Sequence, residues 1–154
     1  MSTSLVIDTS TSRTIVGLVK DGEVIWQGFH DGATDHGNAV ADLVKQSLTK
    51  GVNPDQVVVG MGPGPFTGLR VGIAFARAFA AARNVEVIGI CSLDAIVVEQ
   101  SEYTVAIDAR RKEIYWAKYI DGVRVDGPSV SAPSEVADFI IDLYPSPLKA
   151  VELS

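Results

Sequence analysis

The feature that most constrains this chain is a repeat of architecture. Ser4 to Asp8, SLVID, is a short apolar run of β-forming residues that closes on an aspartate. Arg13 to Lys20, RTIVGLVK, is a second such run. Asp21-Gly22 is a two-residue hairpin signal, and Glu23 to Phe29, EVIWQGF, is a third run. The series then restarts further along the chain. Tyr103 to Asp108, YTVAID, again ends in aspartate. Glu113 to Ile120 comes next, then Asp121-Gly122, then Val123 to Val125. A chain with two copies of one strand–Asp, strand, turn, strand series is expected to be a duplicated unit.

Helical and strand patterns after each triple fill out the unit. Asn38 to Lys50 carries Val40, Leu43, Val44 and Leu48 at helical spacing, with Gly51 and Pro54 to stop it. Gln56 to Val59 predicts a buried strand, about Thr67 to Arg83 a long helix, Val85 to Ile90 a strand, and Ser92 to Glu99 a helix capped by Ser92. In the second copy, Ser134 to Leu143 predicts a helix capped by Ser134. Pro145, Pro147 and LKAVELS then leave room for one more strand. The expectation is α/β: a first lobe over 1–100 in βββαβαβα order and a shortened second lobe over 101–154.

Composition narrows the function classes. The chain has 154 residues and a net charge of −6, with thirteen basic residues scattered along it. That argues against primary binding to a phosphate backbone, which needs clustered Lys and Arg. Arg110, Arg111 and Lys112 form the one tight basic group. Cys91 is the only cysteine, so no intrachain disulfide is available; after the run EVIGI it reads as a small buried hydrophobe. No basic-then-apolar leader and no membrane-length apolar run is present, so a cytoplasmic protein with no membrane contact is expected.

The stretch GMGPGPFTGLRVG, Gly60 to Gly72, has the look of a phosphate loop and fails the test. No Lys-Ser or Lys-Thr comes after its glycines, and neither Gly60 nor Gly62 starts a Gly-x-Gly-x-x-Gly. Pro63 and Pro65 have no N–H to offer an anion. A shaping role fits better, with stiffening prolines, permissive glycines and Thr67 placed to cap the helix. In that helix Gly68, Gly72, Ala76 and Ala80 form a stripe of minimal side chains. Leu69, Val71, Ile73, Phe75, Ala78 and Phe79 make the rest apolar too. Such a helix is either wholly interior or covered on its second side by a partner. Arg70 and Arg77 share one face, as rim contacts to carboxylates or as solvated ends.

Asp8-Thr9-Ser10 and Asp108 end corresponding strands, one in each half. Facing one cleft they would suit a nucleotide and magnesium, as in actin-like ATPases and sugar kinases; the alternative is two ordinary turn aspartates. His36 has Ala39 and Val40 at the i+3 and i+4 positions, so no helical metal pair exists. No Ser-His-Asp or Cys-His set stands out.

The segment MGPGPFTGLRVGIAFARAFA closely resembles the signature of the TsaB family, also called YeaZ. LVIDTST and IDARRKEIYWAKY resemble that family in the same order and spacing. The resemblance implies two ribonuclease-H-like lobes of the actin-like ATPase fold. It also implies a non-catalytic subunit that pairs with a TsaD-like catalytic subunit, joined by a TsaE-like ATPase, in making threonylcarbamoyladenosine on tRNA. tRNA would be met indirectly, through the complex. On this expectation the chain requires no cofactor of its own, ATP and a metal belong to the catalytic partner, and the chain alone forms a homodimer. Pairing would use the first-lobe helices, His36 to Lys50 and Leu69 to Arg83, with Val40, Leu43, Val44, Leu69, Arg70, Gly72, Ile73, Ala76, Arg77 and Ala80 at the interface. Asp8, Thr9, Ser10 and Asp108 would be a vestigial nucleotide site. The second lobe is shorter than is usual in the family, and the late glycine-rich adenosine-contacting segment is missing. The alternative from a different class is an independent ATPase or phosphotransferase using Asp8 and Asp108. A peptidase has no catalytic set to support it.

Overall fold

The computed structural model describes residues 2–154. The first sheet is built from β1 (Thr3–Asp8), β2 (Arg13–Lys20), β3 (Glu23–Asp31), β4 (Gln56–Gly60) and β5 (Glu86–Ile90), in the order β3-β2-β1-β4-β5. The second has β6 (Glu102–Arg110), β7 (Glu113–Ile120), β8 (Val123–Ser131) and β9 (Phe139–Ile140), in the order β8-β7-β6-β9. In each sheet the opening triple is an antiparallel meander, and the next strand lies parallel to the first: β4 on β1, β9 on β6. The two hairpin turns even share their dihedrals, with Asp21 and Asp121 at φ 50° and Gly22 and Gly122 at φ 78°. Positive φ at both turn residues matches the right-handed twist of the strands they join, which is why the sequence places Asp-Gly there.

The uninterrupted apolar runs of β1, β2 and β4 result from burial on both faces. Leu5, Ile7, Val16, Leu18, Val57 and Val59 point to one side. There they pack on α1 (His36–Leu48) through Val40, Leu43 and Val44, and on α2 (Phe66–Arg83) through Ala76 and Ala80. Val6, Val19 and Val58 point to the other, against Ala95 and Ala150. A third cluster joins Val105, Ile107, Ala117 and Tyr119 of the second sheet to Leu93 and Ile96 of the connecting segment. That segment is also fixed by polar contacts. Tyr119 Oη donates to Asp94 Oδ1 at 2.6 Å, and Arg124 Nε lies 3.1 Å from the same oxygen.

Several local expectations are corrected. Ser92 to Glu99 is not a helix: only a 3-10 turn forms, Ser92–Ala95, and the chain is extended by Ile96. The β-branched run Ile96-Val97-Val98 favours that extension. Ser92 does not cap it; its Oγ accepts from the Gly62 N–H at 3.1 Å. Ser134 to Leu143 is not a helix either. A 3-10 turn, Pro133–Glu135, leads to the short β9, and Asp138 and Asp142 take positive φ, which no L-residue helix accommodates. β8 runs past Val125 to Ser131, through Pro128, because it is a sheet edge where a missing N–H is tolerated. α1 begins at His36 rather than Asn38. Thr67 does not cap α2, which starts one residue earlier, at Phe66, behind Pro65.

The last segment is a helix, not a strand. α3 (Pro147–Leu153) has Ser146 at its N-cap, accepting from the Lys149 N–H at 3.3 Å, and Pro147 in its first turn. It crosses back to the first sheet and covers the Val6, Val19, Val58 face. Gly17 is where Pro147 presses on β2; a Cβ there would overlap the proline ring. Just before it, Tyr144 stacks on the Arg13 guanidinium at 3.9 Å, with Phe29 also against it at 3.8 Å. Arg13 donates to both oxygens of Asp31 at 2.8 and 3.2 Å, which holds the Asp31 carboxyl below its ordinary range. The two lobes are thus joined twice, by the 92–101 connection and by this returning strap.

Candidate functional site

The C-terminal ends of β1 and β6 meet at a cleft of about 150 Å³, lined by Thr9, Thr11, His36, Asp108, Arg110 and Tyr144 among others. The two strand-end aspartates repeat one local motif. Asp8 Oδ1 accepts from the Ser10 N–H at 2.8 Å, and Asp108 Oδ1 accepts from the Arg110 N–H at 3.1 Å. Their environments differ completely. Asp108 is exposed and faces the cleft. Asp8 is 3% exposed and does not line the cleft. Its Oδ1 takes a second bond from Ser10 Oγ at 2.6 Å, while its Oδ2 is buried with no hydrogen-bond partner. Gly60 makes room for this carboxyl: a Cβ there would strike Oδ2 and come within 2.5 Å of Ser92 Oγ. Burial raises the Asp8 pKa, and the bonds from Ser10 only partly oppose it.

Thr9 is also turned inward. Its Oγ1 donates to the Gly68 carbonyl at 2.6 Å and accepts from the Gly72 N–H at 3.0 Å, so the first hairpin is tied to the first turns of α2. Ser10 backs against Gly64, where any side chain would overlap it. His36 is buried, with Nδ1 2.6 Å from Thr14 Oγ1, and burial lowers its pKa, with Arg110 adding to the effect. A magnesium-nucleotide site needs carboxylates that converge on the ligand. Asp8 and Ser10 are sealed by internal contacts, the Thr9 hydroxyl at the cleft wall is already bonded as both donor and acceptor, and Asp108 is the one carboxylate of the set presented, so these residues do not fit one. Among the described residues no group of three or more His, Cys, Asp and Glu is placed to hold a metal. Cys91 is half-buried against the third core cluster, and burial pushes its thiol up.

The glycine-proline loop is therefore a packing device. Gly60 and Gly64 admit Asp8 and Ser10, and Gly68 and Gly72 in α2 admit His36 and Thr9. This corrects the expectation that the stripe Gly68, Gly72, Ala76, Ala80 receives a helix from another chain. It receives this chain's own first hairpin and first-lobe core, as Val40, Leu43 and Val44 of α1 do. Leu69 and Ile73 are half-buried, and Arg70 and Arg77 are exposed. The outward flank of α2 is a second row of small side chains that periodicity alone did not single out: Ala74, Ala78, Ala81 and Ala82, all exposed, with Phe66 70% exposed at the helix start. A helix apolar all round hides which of two small stripes faces in. The signal that could have found it is the position of the arginines, since Arg70 and Arg77 must face water.

Two sheets of ribonuclease-H-like order, joined at a cleft between equivalent strand ends, define an α/β chain of the actin-like ATPase type. Comparison with known proteins agrees. Residues 31–151 match the family model described as TsaD, tRNA N6-adenosine threonylcarbamoyltransferase. The structure of YeaZ from Pseudomonas aeruginosa superposes with a TM-score of 0.84 at 24% identity, over 99% of this chain and 90% of that one. An uncharacterized protein of Mycobacterium tuberculosis is 44% identical over 144 residues, 88% of this chain and 68% of its own length. The tRNA threonylcarbamoyladenosine biosynthesis protein TsaB of Haemophilus influenzae is 34% identical over 80% of this chain, and that of Escherichia coli 32% over 75%. The matched parts are 57% and 54% of those two proteins. The chain belongs to the TsaB (YeaZ) family and carries a TsaD-type domain.

Proposed function

We propose that this chain is a non-catalytic scaffold subunit in tRNA threonylcarbamoyladenosine synthesis, pairing with a TsaD-like catalytic subunit that a TsaE-like ATPase joins. The observation that carries the reading is the outward flank of α2. Its alanines lie bare at the surface, while the inward side of the helix is filled by this chain's own core. Small side chains let a second helix approach closely along their whole length. The enclosed Asp8 supports the same reading, because the strand-end carboxylate that a phosphotransfer site would use is spent on internal packing. Among the described residues no helix is long and apolar enough to cross a membrane, and work on tRNA would call for a cytoplasmic chain.

Reconstitution tests this. A TsaD-like enzyme, a TsaE-like ATPase, the threonylcarbamoyl adenylate, ATP and tRNA are incubated with and without the chain, and modified adenosines are counted. Product that depends on the chain is expected, and Ala74→Trp, which changes only the exposed flank, is expected to abolish it with the fold intact. Equal product without the chain sinks the proposal.

A further inference from the structure

β3 is an edge of the first sheet, with β2 as its one strand neighbour among the described residues. Antiparallel pairs alternate between hydrogen-bonded and non-bonded. The Gly32 N–H donates to the Ser12 carbonyl at 2.9 Å, which makes Ser12 and Gly32 a bonded pair, and so in turn Thr14 with His30 and Val16 with Gly28. Gln27, Phe29 and Asp31 therefore turn their backbone N–H and C=O outward, where they meet no hydrogen-bond partner among the described residues. All three residues are exposed, Phe29 by 57%. From Trp26 to Asp31 the register is unbroken and there is no proline. β8, an edge of the second sheet, is blunted by contrast: Pro128 removes an N–H and the register shifts twice.

Grooves flank this edge on both faces of the sheet. On the strap side a groove of about 490 Å³ is lined by Ile15, Phe29, Tyr144, Pro145 and Pro147. Its one charged residue, Arg13, is already paired with Asp31. On the other face a groove of about 410 Å³ lies between β3 and α1, lined by Trp26, His30, Asp35, Asp42 and Gln46. Its carboxylates are Asp35, with His30 Nε2 at 3.2 Å, and Asp42, which is in no ion pair among the described residues. α1 lies over β2 and β3, and α2 over β1, β4 and β5, so this groove is on the flank of α1 away from α2.

We infer that β3 accepts an extended segment of another protein as a further strand, with apolar side chains toward the strap groove and Lys or Arg toward the Asp35 and Asp42 groove. Successive side chains of a strand point to opposite faces, so a segment that alternates apolar and basic residues fills both grooves at once. Main-chain bonds to Gln27, Phe29 and Asp31 supply the attachment, and the two grooves supply the selection. A second copy of this chain fits less well. Paired edge to edge, β3 would bring Gly28 and His30 to the acidic side, and no lysine or arginine lies between Glu23 and Asp31. The surface is separate from the α2 flank, so the inference stands or falls independently of the scaffold reading.

The test uses the purified full chain and synthetic peptides of about eight residues, enough to span the edge. One alternates valine and lysine, one alternates valine and glutamate, and one has the valine–lysine composition with its lysines in a single block. Amide hydrogen exchange of the chain, resolved by residue, is the readout. The alternating valine–lysine peptide is expected to slow exchange at the Gln27, Phe29 and Asp31 amides by about tenfold or more at saturation, and the other two peptides to leave them unchanged. Phe29→Pro deletes an outward N–H without removing a ladder bond and is expected to abolish binding, whereas Phe29→Leu is expected to retain it. Asp42→Lys is expected to weaken the valine–lysine peptide by about tenfold or more and to admit the valine–glutamate one. No protection by the alternating valine–lysine peptide, or equal protection by all three, overturns the inference. So does binding that persists unchanged in both Phe29→Pro and Asp42→Lys. Self-association in sedimentation that Phe29→Pro abolishes, with no peptide protection, overturns it too and gives the edge to a second copy.

Discussion

Asp8 shows how one local motif, repeated at Asp108, can sit in an entirely different environment. Its carboxyl is sealed between β1, Gly60 and Ser92 with one oxygen unpaired. A charge there is costly, so the folded state holds the proton to a higher pH than the unfolded chain, whose carboxyl titrates near 3.8. Between the unfolded and folded pKa the folded state binds more protons, so stability falls as pH rises through that window. Below pH 3.8 the contribution is fully present. Asp8→Asn removes this dependence while its side-chain oxygen can still accept from Ser10. In urea unfolding between about pH 4 and pH 8, the midpoint of Asp8→Asn relative to wild type is expected to rise with pH. A gap that stays level or closes would show that the carboxylate is charged and satisfied in the fold. His36 has the opposite sign. Its lowered pKa means that its contribution is complete above 6.5 and is lost as pH falls through the folded value.

At the scale of the element, α2 is two helices in one. Its inner stripe is defined by contact with the first hairpin. Gly72 has Thr9 Oγ1 at 2.5 Å and Thr9 Cβ at 3.2 Å from where a Cβ would stand, and its N–H bonds the same hydroxyl. Gly72→Ala is expected to destabilise the chain by roughly 1–3 kcal/mol, the usual cost of overpacking a filled site. Chemical denaturation measures it; a change under about 0.5 kcal/mol, typical of a free surface position, would mean the stripe is not closed. Legibility in the sequence divides the same way. The strands β1, β2, β4, β6 and β7 could be read because apolar patterning, hairpin Asp-Gly and length agree. The helices expected at Ser92 to Glu99 and Ser134 to Leu143 could not, because their caps and apolar spacing are outweighed by β-branched extension and by aspartates in the left-handed region.

At the scale of the whole molecule, residues 143–154 return from the second sheet to the first. α3 supplies Leu148, Ala150 and Val151 to a face of the first sheet that would otherwise lie open. The Arg13 stack and the Ser146 N–H bond to the Ala95 carbonyl at 2.8 Å anchor the strap on the way. A chain ended at Asp142 is expected to bind an apolar dye and to lose a single sharp unfolding transition, because Val6, Val19 and Val58 are then exposed together. Dye titration with a thermal melt checks this. A truncated chain that melts as sharply as the whole one would make the strap dispensable.

The sequence by itself determined the duplicated unit, the position of both hairpins, the buried strands and the family, since each depends on local pattern or on a long unbroken signature. Only the tertiary structure decided which side of α2 faces out, whether Asp8 is presented or sealed, and where the C-terminal segment goes. Those three depend on contacts between segments far apart in the chain: Thr9 with Gly72, Asp8 with Gly60, Pro147 with Gly17. Glycine and alanine carry no side chain to announce such contacts, so their partners become visible only when the backbone brings them together.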